Sequence, residues 1–236
     1  MVFVGGALST AQAAVPLAAA FAAAGLQGVT YDRRGRGGSG DTAPYAPERE
    51  VEDLHAVIDD VGGAAVVLGH SSGAVLSLFA AAMAVPMTHL FLSEPPFRFG
   101  ENEPPADLAD RLQGLIDRGE NEEAVLLFLR EDVSLPEPAI EQLRGSPAFA
   151  DLVPLAQSTV YDNRLVASVS TPTTAMLQVD VPVTLLRGDP TFPLLTTAVE
   201  RLAAAMPGTQ LVVVPESHNH GVDPAGTVRE VVARIG

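Results

Sequence analysis

Ala64-Ala65-Val66-Val67-Leu68-Gly69-His70-Ser71-Ser72-Gly73-Ala74-Val75-Leu76 is the stretch on which the reading of the chain turns. Ala64 to Leu68 is apolar throughout, as a parallel strand covered on both faces requires. Ala74 to Ala84 has the composition of a helix. Between them lies G-x-S-x-G, Gly69 to Gly73. A strand that becomes a helix within so few residues makes a sharp, strained turn. The small residues two before and two after the serine let strand and helix approach. Ser71 Oγ is then thrust out above the sheet. The helix N-terminus beneath it offers backbone N–H groups and the positive end of a dipole. Ser72 competes for the role, but the spacing of the two glycines selects Ser71.

Outward from this stretch, strand and helix alternate. Val2-Phe3-Val4 is a strand entering the Gly5-Gly6 loop, Thr10 to Ala24 a helix stopped by Gly25, and Gly28 to Tyr31 a strand ending in Asp32. A Gly-rich loop follows, then a helix from Pro47 to Val61 opened by proline and acids. His89 to Ser93 is a strand stopped by Pro95-Pro96. From about residue 98 to 178 no buried strand is evident. Acidic amphipathic helices near 105–118, 120–131 and 137–144 lead into a mixed stretch. Alternation resumes with a strand over 181–186, a helix over 194–206, a strand over 210–214 and a helix over 222–235. This order implies a mostly parallel sheet with helices on both faces. The expected division is a core of 1–97 and 179–236 and a helical cap of 98–178. Ligands of such sheets bind at the carboxyl ends of the strands, so the residues just after each strand are the candidates.

Composition narrows the function. The 236 residues carry 14 basic and 29 acidic side chains, a formal charge of −15, which argues against nucleic acid and anionic membranes. There is no cysteine, so disulfides, thiolate chemistry and Cys-ligated metals are excluded. All 14 basic residues are arginine, which excludes a Schiff-base lysine. The longest apolar run, Ala11 to Leu26, is mostly alanine, too weak for a membrane span and without a basic segment before it. A cytoplasmic location is expected on that ground.

Two motifs together carry a family resemblance. Asp32-Arg33-Arg34-Gly35-Arg36-Gly37-Gly38-Ser39 matches a D-x-R-G-x-G-x-S loop, and Gly69 to Gly73 matches a nucleophile elbow. With the element order from residue 1 to the C-terminus, the chain resembles the α/β-hydrolases. The resemblance implies their fold, a mostly parallel sheet with a helical cap, and a structural bracing role for Asp32 and Arg34. The family usually has two more strands before the Gly-Gly loop. They have no counterpart here, so the N-terminal edge of the sheet is expected to be missing.

The resemblance also implies a site. The residue after Gly5-Gly6 and the residue after the nucleophile supply oxyanion N–H groups, here Ala7 and Ser72. The base is a histidine after the last strand, where Glu216-Ser217-His218-Asn219-His220 offers two. His218 fits the family's placement better, and His220 is the alternative. The acid has two candidates. Glu94 ends the strand after the elbow, and Asp189 follows Gly188 at the end of the penultimate strand. His70 is expected to line the pocket or pack. Phe97, Leu126, Leu127, Phe128, Phe149 and Tyr161 are candidates to line a substrate pocket.

The expected activity is a serine hydrolase acting on a carboxylic ester or related acyl group through an acyl-enzyme. No cofactor and no metal are implied, and the expected partner is a small, apolar, ester-like molecule. Self-association into a homo-oligomer is compatible with this. Two alternatives stand beside it. One is a C–C bond hydrolase or cofactor-independent oxygenase or lyase on the same scaffold. The other is a ligand-binding protein without catalysis.

Overall fold

The computed structural model describes residues 1–235. Six strands form one sheet in the order β2-β1-β3-β4-β5-β6. They are β1 Val2–Val4, β2 Val29–Thr30, β3 Ala65–His70, β4 Met87–Ser93, β5 Val183–Gly188 and β6 Gln210–Val214. Every pairing is parallel, and no antiparallel edge is present among the described residues.

Side chains alternate across the strands, so each strand feeds two cores. On one face Val67, Leu90, Leu92 and Leu185 pack with α2 (Pro47–Asp60), α3 (Ser72–Ala82) and α10 (Pro193–Ala205). On the other, Leu68, Phe91 and Leu186 pack with Leu17 and Phe21 of α1 (Val15–Ala23) and Val228 and Val231 of α11 (Pro224–Ile235). Burial on both faces explains why these strands read as unbroken apolar runs. α2 shows the helix logic. Pro47 opens it, Glu48 and Glu50 lie in its first turn, and Val51, Leu54 and Ile58 fall on its buried side. Full burial of Leu54 and Ile58 contributes roughly 1.5–3 kcal/mol each.

Chain order reverses about β1. The chain goes from β1 outward to β2, then back across β1 to β3 and on to β6. Val4 at the end of β1 lies level with Gly69 in β3. The Gly5-Gly6 loop and the Ser71 turn therefore sit side by side at the point of reversal, where sheets of this kind open a crevice.

Between β4 and β5 the chain is helical. It forms α4 (Leu108–Asp117), α5 (Asn121–Glu131), α6 (Glu137–Arg144), α7 (Pro147–Leu152), α8 (Ala156–Ser168) and α9 (Thr174–Leu177). α4 to α8 share their own apolar cluster, built on Leu108, Leu112, Val125, Phe128 and Val160. The stretch that reads as mixed in sequence contains α8, which lacks an apolar stripe for a physical reason. It is enclosed on nearly all sides, with Ser158, Thr159, Asp162 and Asn163 buried beside Val160 and Leu165. Each polar group is satisfied: the Ser158 and Thr159 hydroxyls donate to Leu155 O and Ala156 O, both at 2.7 Å. Among the described residues no helix is long and apolar enough to cross a membrane.

Candidate active site

Ser71 holds φ 55° and ψ −126° between β3 and α3. A positive φ is costly for a residue with a Cβ and persists only where its surroundings enforce it. Here Ser71 N–H donates to Ser93 O at 2.9 Å, and Ser71 O accepts Ala74 N–H at 2.9 Å. The flanking glycines are required by proximity. A Cβ on Gly69 would lie 2.5 Å from Gly73 O, and one on Gly73 would lie 2.5 Å from Gly5 O. The helix begins at Ser72 rather than at Ala74, because the turn occupies a single residue.

Ser71 faces a cavity between the strand ends and the helical insertion. Ala7, Ser72 and His220 line it too. The backbone N–H groups of Ala7 and Ser72 have no protein acceptor among the described residues. Of the aromatic and leucine candidates, Phe128 reaches this cavity. Phe97 lies in the main core, and Leu126, Phe149 and Tyr161 in the insertion's own cluster.

The two histidine candidates are placed differently. His218 is exposed, and its Nδ1 lies 3.0 Å from the backbone O of Asp189. It does not line the cavity. His220 does, and its Nδ1 lies 2.6 Å from Glu94 Oε2. The reason is backbone conformation. Asn219 at φ 50° and His220 at φ 67° coil the loop, so that the second ring turns inward. Of the two acid candidates, Asp189 is exposed, and its carboxylate makes no side-chain hydrogen bond among the described residues. Glu94 is 1% exposed and carries φ 47°, which turns its side chain under the strand ends. Its Oε1 accepts Gly188 N–H at 2.9 Å. Burial pushes the Glu94 carboxyl up, but the hydrogen bond and charge of His220 and the Gly188 N–H outweigh it and hold it below the usual range.

His70 supports the same loop. Its Nε2 meets His220 O at 3.0 Å, and the two rings lie 4.6 Å apart. Loss of water and the neighbouring His220 drive His70 down to about 3. It is therefore neutral at pH 7, and its Nε2–H donates to the His220 carbonyl.

Beneath the Gly5-Gly6 loop lies a network that sequence reading missed. Arg33 donates from Nε and Nη2 to both oxygens of Glu50, at 2.7 and 2.8 Å. Its Nη1 reaches Gly5 O at 3.2 Å, Ser72 Oγ at 3.1 Å and Asp162 Oδ1 at 3.0 Å. Arg36 Nη1 donates to Gly6 O at 2.6 Å, while Nη2 spans both oxygens of Asp162 at 2.9 and 2.8 Å. Ser72 Oγ donates to Asp162 at 2.7 Å and the Tyr45 hydroxyl to Glu50 at 2.8 Å. Asp162 comes from α8, so the insertion is tied to the loop that carries Ala7. Burial disfavours the Asp162 carboxylate, but Arg36 and Arg33 override that and hold it below the usual aspartate range. The residues named for bracing sit outside this network. Asp32 accepts Ala11 N–H at 2.6 Å and Gly38 N–H at 2.8 Å, and Arg34 pairs with Asp53 at 2.7 Å. The sequence signal for it was the pair of arginines on either side of Arg34 in the loop motif, Arg33 and Arg36.

Parallel sheet, point of reversal and strained serine turn together define an alpha/beta hydrolase. The model of the alpha/beta hydrolase family matches residues 1–233, and the chain belongs to that family. An alpha/beta hydrolase from Sphaerobacter thermophilus is similar, with 37% identity, a TM-score of 0.90, and coverage of 98% of this chain and 90% of that one. An enol-lactonase from Burkholderia xenovorans shares the fold at 20% identity and TM-score 0.68, covering 98% of this chain and 89% of that one. An N-formylmaleamic acid deformylase from Pseudomonas putida does so at 22% and 0.62, covering 100% and 90%. Among curated proteins none matches the sequence.

Proposed function

We propose that the protein is a serine hydrolase that cleaves a small ester or related acyl substrate, with Ser71 as nucleophile, His220 as base and Glu94 as acid. The observation that carries this is the 2.6 Å contact between His220 Nδ1 and Glu94, on the cavity that Ser71 faces. With Nδ1–H given to the buried carboxylate, Nε2 is the ring atom free to take a proton. Ser71 Oγ attacks the acyl carbon as its proton passes to Nε2. The N–H groups of Ala7 and Ser72 receive the oxyanion, each worth roughly 2.7–4 kcal/mol in the transition state. Nε2–H then protonates the leaving group, and water, activated by the same nitrogen, releases the acid and restores the serine.

Two features outside the three side chains support the reading. Leu8, Ser71, Glu94, Asn219 and His220 all hold positive φ, and strained backbone of this kind gathers where function demands it. Arg33 and Arg36 fasten the carbonyls of Gly5 and Gly6, which fixes the direction of the following Ala7 N–H. The enol-lactonase and deformylase names agree with acyl-transfer chemistry on this fold. A small molecule held beneath a helical cap of residues 98–178 is the partner.

The test is the intact mass after treatment with a fluorophosphonate. A single adduct is expected on the wild-type protein and on His218→Ala, and none on Ser71→Ala. His220→Ala should lose kcat/KM on the order of 10⁴-fold or more against an activated ester. Labelling that survives in Ser71→Ala, or a His218→Ala loss matching that of His220→Ala, would overturn the assignment.

A further inference from the structure

The cavity around Ser71 is walled by Phe128, Val133, Val166, Phe192 and Leu195, but one part of it is ionic. Arg98, Asp132 and Asp162 line it as well, Asp162 being already paired with Arg33 and Arg36. Arg98 is 5% exposed. Its Nη2 donates to the backbone O of Asp132. Its Nε and Nη1 have no acceptor among the described residues. A buried guanidinium with donors unused is unfavourable, and native structures rarely leave one so without cause.

Asp132 and Glu103 act on it as nearby charges, but neither gives Nε or Nη1 a hydrogen bond among the described residues. Asp132 Oδ1 is 3.9 Å from Nη2, beyond hydrogen-bond length, and Asp132 Oδ2 is taken by Asn163 Nδ2 at 2.9 Å. Burial pushes the Asp132 carboxyl up to about 6, so at pH 7 it still faces Arg98 mostly as an anion, but without a hydrogen bond to its side chain. The arginine is also held in place. Its own N–H and that of Phe99 both donate to Ser170 O, at 2.9 and 3.1 Å, directly after the Pro95-Pro96 bend that follows Glu94. It is thus a fixed, under-bonded cation on the wall of the cavity that holds Ser71 and His220. In a chain of net charge −15, long-range attraction does not bring anions in, so recognising one requires such a local cation.

We infer that Arg98 reads the substrate: it receives a carboxylate carried by the part of the molecule that enters the cavity, away from the scissile carbonyl. The substrate class is a carboxylate-bearing ester or amide, not the apolar, ester-like molecule expected with the serine-hydrolase reading. The inference rests on Ser71 marking the reacting end of the cavity. Charge-assisted hydrogen bonds from guanidinium to carboxylate supply affinity and orientation together. A site with buried donors also rejects the analogue that leaves them unpaired.

The experiment has one arm without turnover and one with it. Glutaramate, the monoamide of glutaric acid, and pentanamide, matched in chain length and differing in one carboxylate, are titrated by calorimetry into wild type and Arg98→Met. Glutaramate should bind wild type about tenfold or more tightly than pentanamide, and the preference should vanish in Arg98→Met. The second arm compares kcat/KM for mono-p-nitrophenyl glutarate and p-nitrophenyl valerate. Their ratio should favour the charged ester in wild type, fall about tenfold or more in Arg98→Met, and recover in part in Arg98→Lys. Should Arg98→Met not fold, the wild-type comparison of the two ligands decides alone. Equal binding of the two ligands, or a preference that survives Arg98→Met, overturns the inference. Arg98-dependent glutaramate binding in a protein that takes no fluorophosphonate adduct overturns the Ser71 reading and supports the anion site.

Discussion

Two buried arginine clusters flank the candidate active site, and they are built on opposite principles. In the first, Arg33 and Arg36 face Glu50 and Asp162, two cations against two anions, with only Arg36 Nε of the two guanidinium groups unused among the described residues. In the second, Arg98 has a single bonded nitrogen and a carboxylate that stands off at 3.9 Å. A nearly saturated ionic network fixes geometry, because almost every group in it is already committed. An under-bonded cation keeps capacity for something that arrives later. The difference separates a network that holds the Gly5-Gly6 loop from the cation that we propose meets a ligand.

The largest effect that tests this contrast is on stability. Asp162→Ala strips two buried guanidinium groups of a shared partner, and a loss of about 3–5 kcal/mol is expected in urea denaturation. A loss below about 1 kcal/mol would mean that the first cluster is not a saturated structural network.

The next is its pH dependence. The folded protein holds the Asp162 carboxyl below its ordinary value, so its stabilisation is present above the unfolded value of about 3.9 and is lost as pH falls through the folded value. The stability gap between wild type and Asp162→Asn should be full at pH 5 and above, and should close as pH drops below about 4. A gap that widens on acidification would contradict the sign.

A smaller effect is expected at the rim of the same network. Tyr45→Phe removes the hydroxyl bonded to Glu50 while leaving the ring stacked on Tyr161, whose centroid is 4.2 Å away. The expected cost is about 1 kcal/mol. The smallest change is expected in the second cluster. Arg98→Met removes two unsatisfied donors together with one hydrogen bond, from Nη2 to Asp132 O, and these offset, so stability should move by no more than about 1 kcal/mol. A loss as large as that of Asp162→Ala would make Arg98 structural and erase the contrast.

The legibility of the molecule follows the same division. Strands and helices of the core could be read because each announces itself within a few residues. Ala65 to Leu68 is apolar on both faces, Pro47 and its acids open α2, and Gly69 and Gly73 frame a turn no other residues fit. α8 was not legible, because a helix enclosed on nearly all sides by polar and apolar partners shows no stripe. The site divided likewise. Ser71 follows from its neighbours in sequence, whereas the histidine depends on the backbone at residues 219 and 220.

By itself, then, the sequence determined the sheet with its serine turn and the candidates on its strand ends, since those depend on periodicity and on glycine at fixed offsets. The tertiary structure decided which candidates meet. His220 and Glu94 are 126 residues apart, as are Arg36 and Asp162, and Arg33 lies 129 from Asp162. No local pattern encodes such pairs. They exist because a parallel sheet gathers its strand ends on one side, and because a buried charge is stable only where the fold supplies its partner.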